Sequence, residues 1–140
     1  MSETFEIKDL EERVILVGVS EQDGDDANDS LIELAELVKT AGATVVGTII
    51  QNREKIHPGT YVGTGKVSEI AQFIEETQAT GIVCDDELSP AQLKNLEEEL
   101  QTKIMDRTLI ILDIFAGRAS TNEGKIQVEL AQLKYRQSRL

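Results

Sequence analysis

Residues 81–105 read GIVCDDELSPAQLKNLEEELQTKIM. Gly81 closes a preceding helix. Ile82-Val83-Cys84 is a short apolar run that ends on three acids, Asp85, Asp86 and Glu87, and so reads as a buried strand. Ser89 then caps a helix. Pro90 suits its first position, where an amide donor has no partner to lose, and Gln92 can bond back to the cap's own amide. Leu93, Leu96 and Leu100 fall on one helical face, and Lys103-Ile104-Met105 resumes an apolar strand. A strand, one amphipathic helix and a strand form a crossover unit, which joins parallel neighbours.

The same alternation recurs toward the amino terminus. Arg13 to Val19, RVILVGV, is an apolar strand, and Ser20 to Asn28 is a loop. Leu31, Leu34, Ala35 and Val38 stand at i, i+3, i+4 and i+7 on a helix that Gly42 ends. Ala43 to Ile50 is a second strand, Gln51 to Val62 a loop, and Val67, Ile70, Ala71 and Ile74 repeat the helical spacing. The strands are continuous apolar runs, as in a parallel sheet covered on both faces. These signals predict an α/β fold: a small parallel sheet of about four strands, in the order 2-1-3-4, covered by helices.

Past Asp106 the pattern changes. Residues 107–119 read RTLIILDIFAGRA and residues 120–140 read STNEGKIQVELAQLKYRQSRL. Leu109, Leu112, Ala116 and Ala119 form one heptad-like stripe; Ile126, Leu130 and Leu133 form another. Two stripes joined by a polar segment predict an antiparallel helical hairpin, with Ser120 and Glu123 as a capping box for its second helix. The expected divisions are an N-terminal segment at 1–12, an α/β subdomain at 13–106 and a hairpin subdomain at 107–140.

The net charge is -12, unevenly spread: residues 1–102 hold 7 Lys and Arg against 22 Asp and Glu, and residues 103–140 hold 7 against 4. An acidic body repels nucleic acid; the carboxyl-terminal part need not. No apolar run approaches the roughly 18 residues of a membrane span. A single cysteine, Cys84, forms no intrachain disulfide and reads as an inert buried thiol. A cytoplasmic monomer is the expectation, against the alternative of a scaffold that dimerises through the hairpin stripes.

Tyr61 to Ile70, YVGTGKVSEI, imitates a phosphate-binding loop. A Walker A loop, GxxxxGK[ST], needs glycine at 60 and a hydroxyl at 67, where this chain has Thr60 and Val67. GxGxxG fails at Ser68. Two readings stay open. Gly63, Thr64, Gly65 and Lys66 could hold a phosphate weakly at a helix start. The favoured reading is a glycine-rich helix entry required for close packing or left-handed backbone angles. Asp85, Asp86 and Glu87 lie where open α/β sheets bind ligands, but read as a solvated turn in preference to a Mg²⁺ site. His57 reads as a turn residue. No catalytic set and no metal site can be assembled. Gly117 to Lys125, at the hairpin tip, carries side chains suited to a nucleic-acid backbone, or else is a plain solvated turn.

YVGTGKVSEI, DDELSPAQLKNLE and DRTLIILDIFAGRASTNEGKIQVELAQL together resemble the N-terminal region of the HflX GTPases, translation-associated proteins of the OBG-like group. The resemblance runs from about Arg13 to Leu140. It departs at Ser138, where the family tends to have proline, which bears only on how the chain leaves the helix. The resemblance implies an α/β subdomain followed by a long helical hairpin. It implies a GTPase domain after Leu140, carrying GTP and Mg²⁺, so that this region alone does not hydrolyse GTP and has no cofactor beyond weak ATP or GTP. It implies binding to the large ribosomal subunit and its RNA, splitting of stalled ribosomes under stress, and regulation of the protein's own GTPase domain. Carried over to this chain, the RNA-contacting tip is Arg118, Ser120, Thr121, Asn122 and Lys125, reaching toward the peptidyl transferase centre. The alternative is a stand-alone nucleotide-binding domain that uses the GTGK loop.

Overall fold

The computed structural model describes residues 11–21, 25–53, 55–118 and 122–137. Its elements are β1 (Arg13–Ser20), α1 (Asp25–Thr40), β2 (Thr44–Asn52), α2 (Thr64–Thr77), β3 (Gly81–Cys84), α3 (Pro90–Leu100), β4 (Lys103–Asp106), α4 (Arg107–Arg118) and α5 (Asn122–Gln137). The four strands are all parallel, in the order β2-β1-β3-β4. The α/β class, the strand order and the closing pair of helices agree with the sequence reading.

Alternation along β1 explains why its run is apolar throughout. Val14 and Leu16 face one side, packing with Leu31, Leu34 and Val38 of α1, Met105, and Leu109 and Ile110 of α4. Ile15 and Val17 face the other, packing with Val67 and Ile70 of α2, Leu93, Leu96 and Leu100 of α3, and Ile104. Each strand residue therefore has a helix above or below it. At roughly 1.5–3 kcal/mol for each fully buried aliphatic side chain, these two layers dominate the folding energy.

Helix ends follow local chemistry, with differences from expectation. Ser89 caps α3 by accepting from the Gln92 amide at 3.1 Å, and Gln92 Oε1 accepts from the Ser89 amide at 2.9 Å, the expected reciprocal box. Gly42 follows α1 at φ +99, a left-handed angle that suits glycine. Gly81 does not end α2. That helix stops at Thr77 with Gln78 left-handed, its amide bonded to Ile74 O, and Gly81 opens β3 instead. The predicted loop at 20–28 is also shorter, because α1 already begins at Asp25.

The hairpin is antiparallel: Gln132 of α5 donates to Asp113 of α4 at 2.5 Å, and Tyr135 reaches back to Asp106 just before α4. Asp113 feels the charges of Lys103 and Glu12, at the amino ends of β4 and β1. α4 therefore starts at the carboxyl edge of the sheet and runs back past its amino edge. Its 12 residues rise about 18 Å, so its carboxyl end at Arg118 lies far from the strands' carboxyl ends. Leu130 and Leu133 of the second stripe stay 51% and 52% exposed, so they are not the buried seam the spacing suggested. Ser120, Thr121, Ala119 and Ser138 lie outside the described residues, as do the side chains of Arg118, Asn122, Glu123, Lys125 and Ile126. Among the described residues no helix is long and apolar enough to cross a membrane.

Candidate functional site

Two places carry the chemistry, both at the carboxyl edge of the sheet: the loop between β2 and α2, and the base that mounts the hairpin.

At the carboxyl edge, the loop between β2 and α2 is tied down by its own side chains. His57 Nδ1 accepts from the amides of Gly59 (3.0 Å) and Thr60 (3.1 Å), so it is the unprotonated nitrogen of the ring. Backbone bonds in both directions join His57 and Tyr61. Gln92 Nε2 donates to His57 O at 2.9 Å and Asn95 Nδ2 to Gly59 O at 2.8 Å, holding the loop on α3. His57 is thus a turn organiser, as its Pro-Gly neighbours suggest.

The left-handed residue in this loop is Tyr61, at φ 69, while the N-cap Gly63 is extended. Tyr61 is 1% exposed and donates to Asp86 Oδ2 at 2.6 Å. Burial, then the neighbouring Cys84 and Asp86, push its phenol far above the ordinary value, so it stays a donor. A Cβ on Gly63 would stand 2.6 Å from Arg53 Nη1, the far end of a flexible side chain that can move aside. A Cβ on Gly65 would meet nothing within 4 Å. Neither glycine of this entry takes a left-handed angle, and the crowding at Gly63 comes only from the ends of the Arg53 and Gln51 side chains.

The amides of Thr64, Gly65 and Lys66 precede the first intrahelical bond, which runs from the Val67 amide to Gly63 O at 3.0 Å, and no side chain caps them. The Gly63 amide is already bonded to Gln51 Oε1 at 2.7 Å, and Lys66 Nζ pairs with Glu69 at 3.2 Å. Val67 is buried and supplies no hydroxyl for a cation. This donor set does not fit a Mg²⁺–nucleoside triphosphate. It offers an anion only the exposed start of α2.

The acidic run after β3 is not a single solvated turn. Asp85 is 9% exposed and accepts from Arg107 Nη2 at 2.7 Å, whereas Asp86 turns to Tyr61. The carboxylates diverge, and among the described residues no three acidic, histidine or cysteine side chains gather as metal ligands. Burial, reinforced by the charges of Asp106, Asp86 and Asp85, pushes the Cys84 thiol well up, which leaves it inert.

The hairpin base is the densest polar cluster. Asp106, 2% exposed, ends β4 and caps α4: Oδ1 accepts from the Leu109 amide at 3.0 Å, and Oδ2 accepts from the Leu88 amide at 3.0 Å and from Tyr135 Oη. One carboxylate joins the β3–α3 loop and both hairpin helices. Burial and that bond raise the Tyr135 phenol above its ordinary value. Arg107 reaches sideways to Ser30 O (2.9 Å), Ser30 Oγ (3.0 Å), Glu33 (2.6 Å) and Asp85. Burial opposes its charge, but the bonds to Asp85 and Glu33 outweigh that and hold the guanidinium ionised.

Residue spacing had not singled out Asp106, Arg107, Tyr61 or Tyr135. One signal was available for the first: an Asp at the end of a strand, three positions before an apolar helical residue, is an N-cap pattern. The residues singled out earlier separate in space: Gly63 to Lys66 stand at the carboxyl edge, and the helix ends that frame the tip stand at the other.

Comparison with known proteins accounts for this arrangement. Residues 28–116 match the family described as GTP-binding GTPase N-terminal, and residues 118–140 that described as GTP-binding GTPase Middle Region. The chain belongs to the HflX family of GTPases. It is 69% identical over 140 residues to the GTPase HflX of Lacrimispora saccharolytica, covering all of this chain and 33% of that protein. It is 52% identical over 130 residues to that of Alkalihalophilus pseudofirmus, covering 92% and 31%. The chain thus spans about a third of the length of these HflX relatives. Its fold is similar to that of a GTP-binding protein from the archaeon Sulfolobus solfataricus solved in complex with GDP, with TM-score 0.66 and 24% identity, over 91% of this chain and 38% of that one. The HflX match changes over between residues 116 and 118, within the last turn of α4, so its second part begins at the hairpin tip.

Proposed function

We propose that this chain is the ribosome-docking and GTPase-regulating part of an HflX-type GTP-binding protein, and that it meets RNA through its hairpin tip. Residues 13–106 are the scaffold and residues 107–140 the docking arm. The tip residues Arg118, Ser120, Thr121, Asn122 and Lys125 contact RNA of the large ribosomal subunit near the peptidyl transferase centre. The whole protein splits stalled ribosomes under stress, in the cytoplasm. GTP and Mg²⁺ belong to a GTPase domain whose activity this region regulates; the chain itself hydrolyses no GTP.

The observation that carries this reading is the mounting of the hairpin. A buried carboxylate and an arginine bonded to Ser30, Glu33 and Asp85 fix its base, while α4 extends about 18 Å beyond that base. Such an arm delivers small and basic side chains to a narrow site at a distance from an acidic body, where local charge governs the contact. Co-sedimentation of the chain with purified large subunits, at low and physiological salt, tests it. Binding is expected, and Arg118→Ala with Lys125→Ala should abolish most of it. Equal binding by the double variant would remove the tip from the contact.

The uncapped start of α2 favours a second reading, weak ATP or GTP binding through Gly63, Thr64, Gly65 and Lys66. Calorimetry with millimolar nucleotide tests it, and an absence of heat would end it.

A further inference from the structure

Among the described residues, the β2 edge of the sheet is open. β2 lies outermost, and its sequence, TVVGTIIQN, contains no charge and no proline, two devices that commonly blunt an exposed edge. A register shift opposite Val14 and Ile15 bulges the strand before Gly47, and Gly47 to Asn52 then pair in regular register. The Arg53 amide donates inward to Ser20 O at 2.9 Å. Because successive peptide units alternate in direction, the amides and carbonyls of Asn52, Ile50 and Thr48 point away from the sheet. Among the described residues, no group outside the sheet meets them.

A groove runs along each face of this edge, and Thr48 lines both. The groove beside α2 has a volume of about 420 Å³ and is walled by Ile49, Phe73, Gln72, Glu69 and Glu76. The groove beside α1, about 290 Å³, is walled by Leu31, Ile32, Ala35 and Ile50. Ile32 is 66% exposed there. An added strand would send alternate side chains into the two grooves. The rims are acidic: Glu69 and Glu76 stand on α2, and Asp29 and Glu36 flank Ile32 on α1. Lys66 pairs with Glu69 and Lys39 with Glu36, which leaves a negative balance on both sides.

We propose that the β2 edge docks an extended, lysine- or arginine-bearing segment of a partner polypeptide, which adds a fifth strand to the sheet. The outward peptide groups call for a strand, since a helix has no free backbone groups along its length to offer. The rims call for basic residues. A second copy of this chain is disfavoured because each copy carries a charge of -12 and pairing would bring acidic rims together. The inference does not depend on the ribosomal reading, and the edge lies across the sheet from β4 and the hairpin base, so both surfaces can act at once.

The test is nuclear magnetic resonance titration of the isotope-labelled chain with a capped heptapeptide of alternating valine and lysine. Saturable shifts and slowed exchange are expected at the Thr48, Ile50 and Asn52 amides. Thr48→Pro removes an outward amide and no inward bond, and should weaken binding by about tenfold or more. A peptide N-methylated at every residue, which offers no amide donor on either edge, should not bind the unaltered chain, and needs no variant to fold. The proposal is overturned if no shift appears by about 2 mM peptide. It is equally overturned if the N-methylated peptide binds as well. Protection of the same amides on concentrating the chain alone would give the edge to a second copy instead.

Discussion

Replacing Asp106 with asparagine changes one atom and should cost more stability than most surface truncations. In the native structure both carboxylate oxygens accept, one from the Leu109 amide and the other from the Leu88 amide and Tyr135 Oη. Asparagine has one acceptor oxygen. If that oxygen keeps the helix cap, its NH₂ faces the Leu88 amide, donor against donor; if it flips, the cap is lost. A buried amide left without an acceptor costs about 1–3 kcal/mol, and loss of an N-cap about 1 kcal/mol. Tyr135 can rotate its hydroxyl to accept, so its share is partly recovered. The expected loss for Asp106→Asn is about 2–3 kcal/mol in urea denaturation with an unchanged slope. Tyr135→Phe alone should cost about 1–2 kcal/mol, and the double variant should fall short of the sum by about 1 kcal/mol, because both remove the same bond. An Asp106→Asn loss below about 0.5 kcal/mol, or strict additivity, would refute the idea that this carboxylate holds the hairpin to the sheet.

Arg107→Met leaves Asp85 buried without its ion partner; discounted for the arginine's partial exposure, it should destabilise by about 2–3 kcal/mol in the same assay. Gly65→Ala meets open space at a helical position and should stabilise by about 0.5–1 kcal/mol in thermal unfolding, and any accompanying loss of nucleotide heat would support the second reading. Asp113 is held above its ordinary 3.8 by burial, with the charges of Arg136 and Lys103 opposing. The folded chain therefore takes up this proton more readily than the unfolded one, so the group penalises folding at neutral pH and the penalty disappears as pH falls through the raised value toward 3.8. Asp113→Asn should raise the melting temperature at pH 7, with the gain narrowing over that acid range.

The layers of this fold are legible because their signals are local. Apolar runs such as VILVGV, helical spacings such as Leu93, Leu96 and Leu100, and the Ser89–Gln92 box each lie within a few residues and state their own geometry. The hairpin's packing was less legible. Leu130 and Leu133 have the spacing of a seam, yet α4 gives Leu109 and Ile110 to the sheet instead of to its partner helix. The polar knots were hidden for a different reason: Arg107 and Ser30 are 77 positions apart, and Tyr135 and Asp106 are 29 apart. No periodicity announces such pairs. The GTGK loop shows the converse, a local pattern that suggests chemistry while Gln51 and Glu69 take up its amide and its lysine.

The central claim is that the hairpin tip meets ribosomal RNA while the sheet holds its base, and a tethered cleavage reagent tests it most directly. Cys84 is the only cysteine and is 1% exposed, so Thr121→Cys would carry the sole reactive thiol. Hydroxyl radicals generated from an iron chelate on that thiol cut nearby RNA in the bound large subunit. The account predicts a compact set of cuts near the peptidyl transferase centre, lost on adding Arg118→Ala and Lys125→Ala. Scattered cuts, or none from a chain that still co-sediments, would contradict it.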